Sequence, residues 1–200
     1  MSLQDVPPHR IATVVTTLEM RERPKPAPLP ASHLRLARWK QPEAEKYRTL
    51  FRRIGEPWLW FSRLVMSNDT LLQIIHSDAI EIHAVIDPRG IEVGLIELDF
   101  GTPPHCELSY FGLIPEIAGQ KHGRWMMAQA NMLAWRKGIE CFWVHTCTLD
   151  HPSALGFYRK SGFIPVKRQI EIFDDPRLIG LLPRDAARHI PMLQADQSRN

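Results

Sequence analysis

Three apolar runs lie close together between residues 80 and 114, and two turn sequences separate them. Ile80-Glu81-Ile82-His83-Ala84-Val85-Ile86 stops at Asp87-Pro88-Arg89-Gly90, a run over 91–100 stops at Gly101-Thr102-Pro103-Pro104, and a third covers 106–114. Proline fixes φ and withdraws an N–H, and glycine reaches turn conformations closed to other residues, so each run ends where these residues cluster. Strands joined by turns this short pair antiparallel. A helical pattern then runs from about 119 to 137, with Met126, Ala130, Leu133 and Ala134 on one face and Gly138 as its stop. A strand follows over 141–148. A helix between two strands is the crossover that a parallel pair requires. The chain is therefore expected to build a mixed sheet of α/β (α+β) type, an antiparallel meander with one parallel step.

The remaining segments extend this sheet. Residues 11–20 (IATVVTTLEM) are rich in β-branched side chains and predict a strand. Alternating prolines over 23–30 forbid helix and favour an extended connector. His33-Leu34-Arg35-Leu36-Ala37-Arg38-Trp39 alternates like a half-buried strand. Pro42 opens a helix to about Ile54, with Gly55 as its stop, and a short helix over 69–76 can be capped by Asn68 or Asp69. A helix over 152–161 and a last strand over 163–173 close the pattern. This divides the chain into an N-terminal extension (1–32), a catalytic-type domain (33–173) and a C-terminal tail (174–200).

Composition narrows the function classes. With 44% hydrophobic and 24% charged residues the chain has ordinary globular usage and can bury a core of its own. Its net charge of +3, from 25 basic and 22 acidic residues spread evenly, gives no basic stripe for nucleic acid or an anionic membrane. Cys106, Cys141 and Cys147 are odd in number and form no CxxC pair, which argues against a disulfide scaffold. No leader pattern opens the sequence and no apolar run approaches the ~20 residues of a membrane span, so the expectation is a cytoplasmic protein. Association as a homodimer is left open by the sequence.

The chemistry concentrates in Gly112-Leu113-Ile114-Pro115-Glu116-Ile117-Ala118-Gly119-Gln120-Lys121-His122-Gly123-Arg124-Trp125. A strand ends, a short glycine-bearing loop follows, and a helix starts at once. Such a turn aims unsatisfied N–H groups and the positive end of the helix dipole at one spot, which suits a phosphate. The loop is neither GxxxxGK[ST] nor GxGxxG. About 30 residues on comes His151-Pro152-Ser153-Ala154-Leu155-Gly156-Phe157-Tyr158-Arg159-Lys160-Ser161-Gly162-Phe163.

Together the two segments resemble the GCN5-related N-acetyltransferase (GNAT) superfamily. The family carries P-E-x-[RQ]-G-x-G-x-[GA] after a strand and then N-x-x-A-x-x-x-Y-x-x-x-G-F. Pro115, Glu116, Gly119 and Gly123 match the first pattern, and Ala154, Tyr158, Gly162 and Phe163 match the second. Three positions depart: Ala118 replaces Arg or Gln, Lys121 replaces Gly, and His151 replaces Asn. A register two residues later would use Gln120 and Gly123 but bring Trp125 to the small-residue position, so the spacing from Pro115 favours the first. Lys121 adds a charge against phosphate, provided its backbone angles need no glycine.

The resemblance implies an acyl-CoA N-acyltransferase fold with splayed central strands, here with an extra N-terminal strand. It implies acetyl-CoA as donor and an amine, on a small molecule or a peptide, as acceptor, with direct transfer in a ternary complex. The pantetheine arm would run along Phe111 and Leu113, and the pyrophosphate would sit on Ala118, Gly119, Gln120, Lys121, His122, Gly123 and Arg124, with His151 and Tyr158 completing the cofactor contacts. Tyr158 would protonate the departing thiolate. Glu107 is the first choice of base, sharing a strand face with Ser109, and Glu97 on the neighbouring strand is the second. Trp58, Trp60 and Phe61 either pack between the early helices or wall the acceptor pocket.

Other chemistries fit poorly. His145 and Cys147 lie two apart on one strand, yet no second CxxC or HxxxH half accompanies them, so no metal is expected. Residues two apart in a strand project in parallel, which also excludes them as a nucleophile pair. GxSxG is absent. The alternative from another class is a domain that binds CoA as a sensor without turnover.

Overall fold

The structure, a computed structural model, describes residues 3–193. The outermost parts of the two terminal segments, 1–2 and 194–200, lie outside the described residues. In chain order the elements are β1 (Arg10–Met20), β2 (Arg35–Trp39), α1 (Ala44–Gly55), α2 (Asn68–Ile75), β3 (Ile80–Ile86), β4 (Glu92–Asp99), β5 (His105–Leu113), α3 (His122–Ala134), β6 (Cys141–Cys147), α4 (Ala154–Lys160) and β7 (Ile164–Asp174). They form one seven-stranded mixed sheet in the order β2-β3-β4-β5-β6-β1-β7. The meander β3-β4-β5 is antiparallel as expected, and β5–β6 is the parallel step across α3. No helix of the described residues is long and apolar enough to cross a membrane.

The extra N-terminal strand has a place that local pattern could not assign. It runs antiparallel between β6 and β7, so residues 10–20 complete the sheet that carries 33–173. Leu18 and Met20 are buried on one of its faces, and Thr13 and Ile11 on the other.

On α1, Ala44, Tyr47, Leu50, Phe51 and Ile54 recur at helical spacing and are buried against β4 and β5. Fully burying a side chain such as Phe51 contributes roughly 1.5–3 kcal/mol. Arg52 and Arg53 occupy its last turn, where cations oppose the helix dipole. Gly55 is the last residue of the helix, and the side chain of Trp60 lies where a Cβ at that position would be. Two helix ends differ from the sequence reading. The cap of α2 is Ser67, extended at φ −61° and ψ 162°, whose side chain accepts from the Thr70 N–H; Asn68 already belongs to the helix. Helix α3 covers only 122–134, because Lys121 is left-handed and Trp135 leaves helical angles at ψ 68°.

Two irregularities open the sheet. Strands β5 and β6 pair only at His105↔Cys141, Cys106↔Phe142 and Glu107↔Trp143, and part beyond that. In the β4–β5 ladder Leu98 faces Leu108 and Glu97 faces Tyr110, so Ser109 is the extra residue of a bulge. A bulge bends its strand and breaks the alternation of side chains. Glu107 and Ser109 are therefore not on a simple shared face, contrary to the expectation.

Past β7 the chain folds back in turns. Arg177 is 3% exposed; it pairs with Asp175 at 2.7 Å and donates to the carbonyls of Ala186 (3.1 Å) and Ile190 (2.9 Å). One guanidinium thus closes the 175–190 strap.

Candidate active site

Where β5 and β6 part, a cavity of about 570 Å³ passes through the sheet. Its two ends differ. Gly112 faces Ile54 of α1, while its neighbour Phe111 stacks on Phe157 of α4 at 5.8 Å, so α1 and α4 cover opposite faces of β5. Both Trp60, from the α1 side, and Phe157, from the α4 side, line the cavity.

At the α4 end lies the loop before α3. Ala118, Gly119, Lys121, Gly123 and Arg124 line the cavity with Phe111 and Leu113 of β5. Gly119 has φ +81°, and a Cβ added there would meet no heavy atom within 4 Å, so backbone angle and not space demands glycine. Lys121 has φ +68°, also in the left-handed region. Lys121 thus adopts a backbone angle that favours glycine, at a cost in strain, while still lining the cavity. As the N-cap of α3 it makes no side-chain cap bond, which leaves the N-terminal N–H groups of α3 to other partners. Uncapped N–H groups at a helix start, beside a left-handed turn, are groups that could hold a phosphate.

Two residues assigned to that cradle point elsewhere. The Gln120 side chain donates back to the Glu116 carbonyl at 3.2 Å. His122 is 7% exposed, with Nδ1 3.1 Å from Ser32 Oγ and its ring edge-on to His33 at 4.7 Å. It anchors the proline-rich connector, and neither side chain lines the cavity. His151 does line it: Nδ1 accepts from the Ser153 N–H at 3.1 Å, and the ring sits edge-on to Trp58 at 5.1 Å.

Tyr158 enters from α4, packed edge-on to Phe111 (6.3 Å) and Phe163 (6.0 Å). It is 7% exposed, lines the cavity, and its hydroxyl has no hydrogen-bond partner among the described residues. Burial, with a smaller contribution from the Asp150 carboxylate, pushes its pKa well above that of an ordinary phenol. The group stays protonated at neutral pH and can donate.

At the α1 end Trp58, Trp60 and Phe61 all line the cavity. They serve packing and wall at once. Trp60 lies against Phe51 (5.4 Å) and Tyr110 (5.3 Å), and Phe61 stacks on Phe173 of β7 at 4.7 Å. The indole N–H of Trp60 donates to Asp150 Oδ1 at 3.3 Å, and Oδ2 accepts from Thr146 (2.7 Å) and the Cys147 N–H (3.0 Å). Asp150 so ties the β6–α4 turn to the aromatic wall.

The two carboxylates named as bases fare differently. Glu97 is 0% exposed, with the Tyr47 hydroxyl donating to it at 2.5 Å and Arg63 at 2.5 Å. Burial raises its pKa against the pull of Arg63 and Tyr47, and it does not line the cavity. Its role is to hold α1 and the following loop on β4, which corrects its place as second base. Glu107 does not line the cavity either; its Oε1 lies 3.2 Å from Nδ1 of His145, which does. Sequence reasoning missed this pair, together with Asp150 and the cavity-lining Glu171. The available signal was register: in a parallel pair with Glu107 opposite Trp143, His145 is the next residue on the same face of β6.

Three comparisons bear on this geometry. The family model described as acetyltransferase (GNAT) family matches residues 82–163. No curated protein matches. Among solved structures, a GCN5-related N-acetyltransferase from Sphaerobacter thermophilus superposes with a TM-score of 0.62 at 13% identity, over 82% of this chain and 52% of that one. A functionally unknown conserved protein from Staphylococcus epidermidis gives 0.55 at 14%, over 83% and 63%. A spermidine N-acetyltransferase from Vibrio cholerae, in complex with CoA and spermine, gives 0.51 at 19%, over 71% and 96%. The chain thus spans only 63% of the length of the Staphylococcus protein and 52% of that of the Sphaerobacter protein. At these identities the likeness is one of fold.

Proposed function

We propose, from the match of residues 82–163 to the acetyltransferase (GNAT) family model and the likeness of the sheet to structures of that fold, that the protein moves an acetyl group from acetyl-CoA to an amine by direct transfer. The observation that carries this reading is the shared cavity: an anion cradle before α3, the edge of β5 and the Tyr158 side chain line one end, and an aromatic wall lines the other. Acetyl-CoA supplies the activated thioester. The cradle of Ala118, Gly119, Lys121, Gly123 and Arg124 takes its pyrophosphate, while Phe111 and Leu113 run beside the pantetheine. The Tyr158 hydroxyl, without a hydrogen-bond partner among the described residues, gives its proton to the departing sulfur. Trp58, Trp60 and Phe61 hold the acceptor. A spermidine acetyltransferase among the structural neighbours, solved with CoA and spermine, supports a small amine as the acceptor class.

The test has two steps: thermal stabilisation by acetyl-CoA, then release of free thiol with a panel of primary amines that includes spermidine. Stabilisation and thiol release are expected. Tyr158→Phe should lower kcat by ~10²-fold or more while leaving acetyl-CoA stabilisation in place; an unchanged kcat would remove Tyr158 as the acid. The departures at Ala118 and Lys121 favour a second reading, a CoA sensor without turnover. Stabilisation without thiol release across the panel would select it.

A further inference from the structure

Building on the acetyl-transfer reading, we propose that His145 is the group that takes the proton from the acceptor amine, and that Glu107 is the positioning residue behind it. Glu107 Oε1 and His145 Nδ1 are 3.2 Å apart. A carboxylate beside Nδ1 favours the tautomer protonated there, which leaves the Nε2 lone pair free to accept. The imidazole lines the cavity and the carboxylate does not. Any proton that leaves an acceptor for this pair therefore meets the ring first.

The position in the fold supports the role. Trp143 is the last residue of β6 paired to β5, and His145 is the next one on its face, at the point where the strands part. Phe142 projects the other way, packing on Phe163 at 5.2 Å, which in turn packs on Tyr158. His145 accordingly lies on the face opposite Tyr158, the face that carries the aromatic wall. Acid and base approach one gap from two sides.

The surroundings tune the ring. Glu107 faces it from β5, Asp150 from the β6–α4 turn and Glu171 from β7, while Glu19 of β1, His105 of β5 and Lys167 of β7 share with it the adjoining depression. The Glu107 carboxylate beside the ring raises its pKa above the ordinary histidine value, against the partial desolvation of a side chain that stays 48% exposed. A base of that strength suits an amine proton better than a carboxylate alone. In the balanced step the amine nitrogen bonds to the acetyl carbon as its proton passes to Nε2. The carbon–sulfur bond breaks with its electron pair on sulfur, and Tyr158 protonates that sulfur. Afterwards His145 releases its proton to water and Tyr158 regains one, so the products are the amide and the thiol.

The experiment follows thiol release against pH, with spermidine as the probe amine, in the full chain and in His145→Gln and Glu107→Gln, with melting temperature and acetyl-CoA stabilisation as controls. His145→Gln should lose ~10²–10⁴-fold in kcat with acetyl-CoA stabilisation retained, and the acid-side limb of kcat/KM should vanish. Glu107→Gln should lose less, and its acid limb should move to lower pH, because the imidazole has lost the partner that raised its pKa. A structural role for Glu107 would not move that limb. Wild-type turnover combined with unchanged kcat in His145→Gln, or an unmoved limb in Glu107→Gln, overturns this proposal alone. Absence of wild-type thiol release with every amine overturns the transfer reading and this proposal with it.

Discussion

Replacing Glu97 with glutamine should cost fold stability and leave the pH profile of activity alone. The carboxylate is 0% exposed and sits between the Tyr47 hydroxyl and the Arg63 guanidinium, each at 2.5 Å. The Arg63 side chain is only 11% exposed, so it cannot recover its hydration when its partner is neutralised. Burial alone would lower the pKa of Arg63 and Glu97 is the chief group that raises it; a guanidinium nevertheless does not deprotonate in proteins, so the cation persists in the variant. Removing one partner of a buried pair costs ~3–5 kcal/mol, because the other charge is left uncompensated. At ~2–4 °C per kcal/mol for a chain of this size, the melting temperature should fall by ~6–20 °C. Tyr47→Phe removes one hydrogen bond to a charged acceptor and should cost ~1.5–3 kcal/mol. The double variant should cost less than the sum, since the phenol has no charged acceptor once the carboxylate is gone. Urea unfolding followed by tryptophan fluorescence measures these values, with the midpoint falling at constant slope. A loss below ~1 kcal/mol, or near-native stability with a displaced pH profile, would refute the structural role and make Glu97 a candidate base again.

Two further perturbations follow from the backbone and the strap. Lys121→Gly relieves a left-handed φ of +68° and should stabilise the fold by ~1 kcal/mol, while the lost charge raises the KM for acetyl-CoA; a lower melting temperature would contradict the first half. Arg177→Ala should speed amide exchange across 178–190 without changing protection in β3 and β4, and equal protection in the strap would show that other contacts hold it. Asp175 supplies the pH counterpart. Burial alone would raise its pKa, but the Arg177 hydrogen bonds hold it below the ordinary carboxylate value. Its stabilisation is therefore present above the unfolded pKa and lost as pH falls through the folded one, so strap exchange should accelerate at acid pH in wild type and much less in Asp175→Asn.

What the sequence disclosed, and what it hid, divides by range. Residues 80–114 read correctly as a meander because alternation and the two turn sequences are local. The parallel step followed from the helix between β5 and β6. That Tyr158, Gly119 and Gly123 line one cavity follows from the spacing of the two motifs, which sets them on one loop and one helix. Hidden features depend on partners far along the chain. Nothing within 10–20 says that β1 runs between β6 and β7. Nothing near Gln120 or His122 says that one turns back to Glu116 and the other meets Ser32. The bulge at Ser109 is a property of two strands together, and it undid the face assigned to Glu107.

The same bulge and the early parting of β5 from β6 explain how one cavity reaches both faces of the sheet. An unbroken β5–β6 ladder would satisfy its own backbone groups and keep the two faces apart. Ending the ladder at Glu107 and Trp143 leaves a gap in which one cavity meets residues from both faces. On the α4 face, burial among Phe111, Phe157 and Phe163 keeps the Tyr158 phenol protonated. On the other, the Glu107 carboxylate makes the His145 ring more basic. A proton donor and a proton acceptor thus come from opposite environments of one sheet. On the proposed reading, a donor held at the α3 loop and an acceptor held at the Trp58–Phe61 wall would occupy this one cavity together, which is what direct transfer requires.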